Sequence, residues 1–437
     1  MSTSQPHIVI AGGGYVGMYT ALRLQKKLRR GEARVTVIDP RSTMTYQPFL
    51  PEAAAGSLEA RHVVVSLRRT LRQTEVITAR VESIDSAAKT IRVVPPETEP
   101  YDLTYDELVV AMGSISRTLP IPGLAELGMG FKQIEEAIAV RNHVLDRLDL
   151  AASVRDPVAR RAALTFVFVG GGYAGVEALA EIEDMARYAT RFYSSIGEDD
   201  IRFVLVEMSD RILPEVGEDL GRYTVERLRK RGIDVKLGTK LESAKDHHIV
   251  LSDGDEFDAD TLVWTAGVRA TPVLAATDLP LDEKGRLKAR ANLTVDGADH
   301  VWTAGDNAAV PDLTHPGEFT SPSAQHAVRQ AKVLGDNLVR SLRGEALEDY
   351  KHKHVGSVAS LGLHKGVAQV YGIKLRGFPA WFMRRTYHMS RMPTFNKKVR
   401  VVLDWTLALF FKRDVVSIGS LHNPREDFTR ASRTIRR

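Results

Sequence analysis

The chain has 437 residues, is 43% hydrophobic and carries a formal net charge of +5 at neutral pH, enough length for two or three domains with buried cores. It contains no cysteine, which excludes any reaction carried by a redox-active thiol. The longest strongly apolar stretch near the C-terminus, residues 405–411, falls far short of the ~20 residues a spanning helix needs.

Only Met1 to Pro6 precede the first predicted strand, with no apolar leader core, so no signal peptide is expected. That strand, Ile8-Val9-Ile10-Ala11, runs into Gly12, Gly14 and Gly17, spaced G-x-G-x-x-G ahead of a helix-forming run. The first glycine permits a tight turn, the second lets a pyrophosphate approach the backbone, and the third lets helix pack on strand. A second strand ends in Asp39, where an adenosine ribose would present its hydroxyls. Residues 95–100, rich in proline, read as a surface turn between strands. Val109-Val110-Ala111-Met112-Gly113 ends in small residues.

Nearly the same sequence then recurs. Phe166-Val167-Phe168-Val169 leads into Gly170, Gly172 and Gly175, and Phe203-Val204-Leu205-Val206 ends in Glu207. Return strands follow at 262–267, with the small pair Ala266-Gly267, and at 301–306, ending in Asp306. The second motif lies inside the first one's span. The expected fold is α/β, with two nested Rossmann-like dinucleotide-binding domains, and two such sites imply two redox carriers in one chain.

Three acids have more than one reading. Glu177 stands two positions past the last glycine, where the first copy has Tyr19; it either turns toward the reacting rings or only stabilises the first helical turn. Asp306 either serves a cofactor or caps a helix start. Glu207 favours NADH, because the 2′-phosphate of NADPH would meet a carboxylate at close range, although Arg211 lies nearby.

From Arg376 to Arg413 aromatic and aliphatic residues interleave with nine cations, Arg384 and Arg385 among them, and Asp404 is the sole acid. This pattern predicts an amphipathic, membrane-associating pair of helices on anionic lipid, each cation adding ~1 kcal/mol near the surface. The alternative is a helical cap packed on a partner subunit. No nucleic-acid-binding motif accompanies the basic charge, so nucleic acid is not an expected partner.

Several segments in order narrow the reading: 46–56 (Tyr-Gln-Pro-Phe-Leu-Pro-Glu-Ala-Ala-Ala-Gly), 205–214, 304–306, 323–327 and 361–368. Together they resemble the bacterial type II NADH:quinone oxidoreductases, two-dinucleotide-domain flavoproteins, over essentially the whole chain. The resemblance implies non-covalent FAD on residues 1–115 and 270–345, NADH on 116–269, and a quinone-side, membrane-surface region at 346–437. It places FAD against Gly12, Gly14, Tyr15, Val16, Gly17, Asp39, Gln47, Pro48, Val81, Gly113 and Asp306. It places NADH against Gly170, Gly172, Tyr173, Gly175, Glu177, Glu207, Ala266 and Gly267. Ala324-Gln325 would meet the quinone headgroup, with the backbone near His326 at the flavin's pyrimidine edge and the His326 ring either a proton donor or structural. Glu177, Gln325 and Lys365 are the catalytic candidates, Lys365 being equally readable as a solvated loop lysine, and no metal is expected. The implied protein is a non-pumping homodimer, peripheral on the cytoplasmic face, reducing ubiquinone or menaquinone. Rival readings are a soluble reductase of a small iron–sulfur protein and a flavin-binding redox sensor.

Overall fold

The computed structural model describes residues 5–352, 356–411, 413–417 and 429–430. Two five-stranded parallel sheets form its framework, and each is built around one glycine motif. In the first, the strand order is Val301–Thr303, Glu107–Val110, His7–Ala11, Arg34–Asp39 and Glu75–Thr78. In the second it is Gly128–Met129, Thr261–Trp264, Thr165–Val169, Arg202–Val206 and Ile233–Lys236. His7–Ala11 and Thr165–Val169 are buried at every position, as their near-continuous β-branched and aromatic runs require of a strand covered on both faces.

The two copies share their immediate neighbourhood. Each glycine strand has its acid-ended strand on one side and leads into a helix, Tyr15–Lys27 or Tyr173–Ala189; on its other side lies Glu107–Val110 in the first copy, with the return strand Val301–Thr303 beyond it, and the return strand Thr261–Trp264 directly in the second. Three antiparallel strands, Arg80–Asp85, Thr90–Val94 and Tyr101–Thr104, follow the first copy, and the proline-rich 95–100 joins the last two. Helix Ala324–Leu342 lies along Tyr15–Lys27, where Gly335 abuts the Arg23 side chain and Arg23 pairs with Asp336 at 2.7 Å.

The C-terminal part has a three-stranded antiparallel sheet, Gly356–Ser360, Gly366–Val370 and Ile373–Arg376, then helices Phe378–Arg391 and Phe395–Phe410. The expected helix pair is present, but its cations are not all on the surface. Arg384 is fully buried and Arg385 nearly so, and Asp404 turns inward to His62 Nδ1 at 2.6 Å. Lys412 lies outside the described residues. Phe395–Phe410 buries only Val401 and exposes Phe395, Leu403, Leu407, Leu409 and Phe410. Among the described residues no helix is long and apolar enough to cross a membrane.

Candidate active site

The repeated motif folds into the same local geometry twice. Gly12 and Gly170 take φ of +110° and +116°, a region open to glycine. A Cβ on Gly17 would fall 1.8 Å from the Gly12 carbonyl oxygen, and one on Gly175 would fall 1.9 Å from that of Gly170. The helix therefore sits directly on the turn in both copies. The acids are recruited alike: Gly13 N–H donates to Asp39 Oδ2 at 2.7 Å and Gly171 N–H to Glu207 Oε2 at 2.5 Å. The second carboxylate oxygen accepts from Arg41 N in one copy and from Ser209 N in the other, each at 2.7 Å. Burial raises the Asp39 pKa above its ordinary value, with the two N–H bonds pulling the other way.

Gly14 and Gly172 are the N-caps of the two helices, and neither end has a side-chain cap or an acid in its first turn. A Cβ built on either would meet nothing within 4 Å. Free N–H groups, the positive end of the helix dipole and open space converge there, which is what a pyrophosphate needs.

Beside the first turn lies a cleft of about 430 Å³, within the range of cofactor sites. Gly12, Gly14, Tyr15, Val16, Asp39, Gln47, Val81, Gly113 and Asp306 line it, together with Ala324. Gly17 lies under the turn and acts through packing. The cleft offers an uncapped helix end for phosphates, a pre-held carboxylate for a ribose and apolar walls, so its residues fit FAD.

Two lining residues escaped the sequence reading. Lys132 Nζ donates to Ser114 Oγ, and Ser114 Oγ donates to Asp306 Oδ2 at 2.6 Å. Asp306 is therefore turned to the cleft through Ser114. No spacing rule marks Lys132; the only local signal is the Gln133–Glu136 capping box that follows it.

The acceptor-side candidates are placed differently. Gln325 is the second residue of the helix whose N-cap is Ser323, and its carbonyl accepts from Arg329 Nη1 at 3.0 Å. His326 N–H donates to Ser323 Oγ, and its ring meets Tyr350 OH at 2.8 Å. On the other motif, Tyr173 is half-buried and burial raises its pKa, while Gly267 is exposed at φ +88° with open space around it.

Glu177 does not hang free toward a ring. It accepts from Arg384 Nε at 2.6 Å and Nη2 at 3.0 Å, and from Ser360 N at 2.6 Å. Arg384 also donates to Glu52 Oε1 at 3.0 Å and to the Pro48 carbonyl at 2.6 Å, so Pro48 is tied to this arginine and lies outside the cleft lining. Arg385 holds the other Glu52 oxygen at 2.8 Å and stacks between Trp381 and Trp405. Burial alone would raise the Glu52 pKa, but Arg385 and Arg384 hold it below the usual carboxylate range. Burial and Arg384 together keep the neighbouring His388 well below an ordinary histidine. The two arginines assigned from sequence to a lipid-facing cationic surface are thus the bolts of a buried joint between the 46–56 segment, whose short helix Leu50–Ala54 carries Glu52, the second glycine helix and the C-terminal helices.

Lys365 lies apart from the cleft. Its half-exposed ammonium pairs with Asp184 Oδ1 at 3.2 Å on helix Tyr173–Ala189, and Asp184 also accepts from Leu363 N at 2.6 Å. The arrangement clamps the 361–365 loop to that helix.

Known proteins resemble this chain. The family described as pyridine nucleotide-disulphide oxidoreductase matches residues 6–331. The type II NADH:quinone oxidoreductase of Staphylococcus haemolyticus is 28% identical over 391 residues, covering 88% of this chain and 94% of that one. The type II NADH:quinone oxidoreductase Ndh of Mycobacterium tuberculosis is 28% identical over 430 residues, covering 94% and 90%. Among solved structures, NDH2 from Plasmodium falciparum in complex with NADH shares the fold with a TM-score of 0.87 at 20% identity, covering 94% of this chain and all of that one.

Proposed function

The chain belongs to the pyridine nucleotide-disulphide oxidoreductase family, and from that premise we propose that it is a type II NADH:quinone oxidoreductase. The observation that carries the reading is the duplicated turn and carboxylate, two dinucleotide cradles in a chain without cysteine. FAD held in the cleft would supply the two-electron chemistry between NADH and a quinone. The protein's own work is to hold and orient. Asp39 and Glu207 arrive pre-positioned by backbone N–H groups, the two helix ends receive phosphates, and Gly267 leaves room for a flat ring to stack. NADH oxidation by purified, FAD-loaded protein with a short-chain quinone tests this directly; absence of quinone-dependent turnover would overturn it.

The same proposal extends to the domain division at 115, 270 and 345, to a homodimer working without proton pumping, and to a peripheral seat on the cytoplasmic face of the membrane. The exposed apolar face of Phe395–Phe410 supports the last. Removing residues from Arg376 onward would also remove Arg384, so point changes make the better test. The triple variant Leu403→Glu, Leu407→Glu, Phe410→Glu is expected to abolish co-sedimentation with anionic liposomes while leaving turnover of a soluble quinone in place. Unchanged sedimentation would remove the membrane assignment.

Cofactor choice is testable at Glu207. Replacing it by Gln together with Met208→Arg, an exposed neighbour, removes the charge a 2′-phosphate would meet and adds one that attracts it. The ratio of kcat/KM for NADPH over NADH is expected to rise at least ~10-fold, the equivalent of 1.4 kcal/mol. An unchanged ratio would take Glu207 away from the ribose.

A further inference from the structure

The cleft beside the first glycine turn has a polarity that can be read from its sheet. Asp39 ends the strand on one side of the glycine strand, and that is the adenosine side. The strands on the other side, Glu107–Val110 and Val301–Thr303, run out into Ser114 and Asp306, so the non-adenosine half of a dinucleotide lies there. Three cations line the cleft: Arg41, Arg80 and Lys132. Arg41 and Arg80 belong to the Asp39 side, following Asp39 itself and its pairing partner Thr78. Lys132 stands with Ser114 and Asp306.

Its position is fixed from several directions. Its N–H donates to Glu136 Oε2 at 2.5 Å, and its carbonyl accepts from Gln47 Nε2 at 3.2 Å. Its side chain is 18% exposed, and its nearest acid, Asp306, is 3.9 Å away and already engaged by Ser114. One of the three ammonium donors goes to Ser114, leaving donors for the cleft. Burial lowers its pKa, with Asp306 and Glu136 opposing the shift.

We propose that Lys132 is a fixed cation at the reacting half of the flavin, holding the negative charge that the ring gains on reduction. This rests on the cleft being the FAD site. A hydride carries two electrons and a proton, so nicotinamide is oxidised, the ring is reduced, and the ring ends with one more negative charge; an immobile ammonium nearby favours that state without reorganising.

Sulfite isolates the effect from both substrates. Its sulfur lone pair forms a bond to flavin N5, the displaced ring electrons settle as negative charge on the ring, and no oxidant or reductant is needed. Because the chain has no cysteine, Lys132→Cys supplies a unique thiol. Alkylation of the apoprotein with bromoethylamine restores a side-chain amine, whereas iodoacetamide leaves a neutral amide; both forms are then loaded with FAD. The neutral form is expected to bind sulfite at least ~10-fold more weakly than the unmodified protein, with a parallel fall in flavin midpoint potential, and the aminoethyl form to recover most of the difference. FAD-loaded neutral protein with unchanged sulfite affinity and potential would overturn the proposal. Failure of the broader reading looks different: unmodified protein would retain no FAD, or would show a normal sulfite adduct without quinone-dependent turnover.

Discussion

Arg384→Met is expected to destabilise the protein by about 3–5 kcal/mol, the usual consequence of stripping a buried charge network of one sign. The guanidinium is fully buried and satisfies Glu177, Glu52 and the Pro48 carbonyl together. Without it, Glu177 loses its only ion-pair partner among the described residues, and Glu52 keeps Arg385 alone. Arg384→Lys should recover only part of the loss, because one ammonium cannot span two carboxylates and a carbonyl in the planar geometry that a guanidinium supplies. Denaturant midpoints are the measurement, with Arg92→Met as control; its partner Asp102 is mostly exposed, so that midpoint should barely move. If Arg384→Met unfolds at the wild-type midpoint, the joint contributes no stability.

The glycines of each motif should separate into two behaviours. In Gly175→Ala the new methyl lies 1.9 Å from a backbone oxygen and 2.5 Å from Thr265 Oγ1, so the helix must lift from the strand. A displacement of that order at a binding turn is expected to cost ~100-fold or more in kcat/KM for NADH. Gly172→Ala has no such clash, and its backbone, at φ −73° and ψ −179°, suits alanine. Its stability is expected to stay within about 1 kcal/mol of wild type, while KM for NADH rises because the methyl occupies the space through which phosphate approaches. The first motif should repeat the pattern in FAD retention, with Gly17→Ala severe and Gly14→Ala felt through the cofactor. A Gly172→Ala protein with ordinary KM would mean that phosphate does not approach there.

The framework was legible because its signals are local. Four-residue apolar runs, glycines at fixed offsets and an acid at the end of the next strand are short-range constraints, and both parallel sheets follow from them. The roles of Arg384, Arg385 and Lys132 were not legible, and the reason is distance in sequence. An arginine on an amphipathic helix reads as solvated unless its partner is known, and the partners of Arg384 lie 207 and 332 positions away. Lys132 likewise acquires meaning only when the strand ends bring Ser114 and Asp306 beside it. Lys365 shows the converse: a good local pattern whose structural partner, Asp184, holds a loop in place.

The buried joint also sets an order on how the chain can be made. Synthesis runs from the N-terminus, so Glu52 and Glu177 emerge long before Arg384, and until then the site they will share is a pair of acids awaiting a counter-charge. That site is expected to stay hydrated until Arg384 arrives, because sealing it earlier would strand charge in an apolar interior. Completion of this joint is thereby tied to the synthesis of residue 384, and a ribosome-stalled chain ending before it should remain open to protease at residues 46–56.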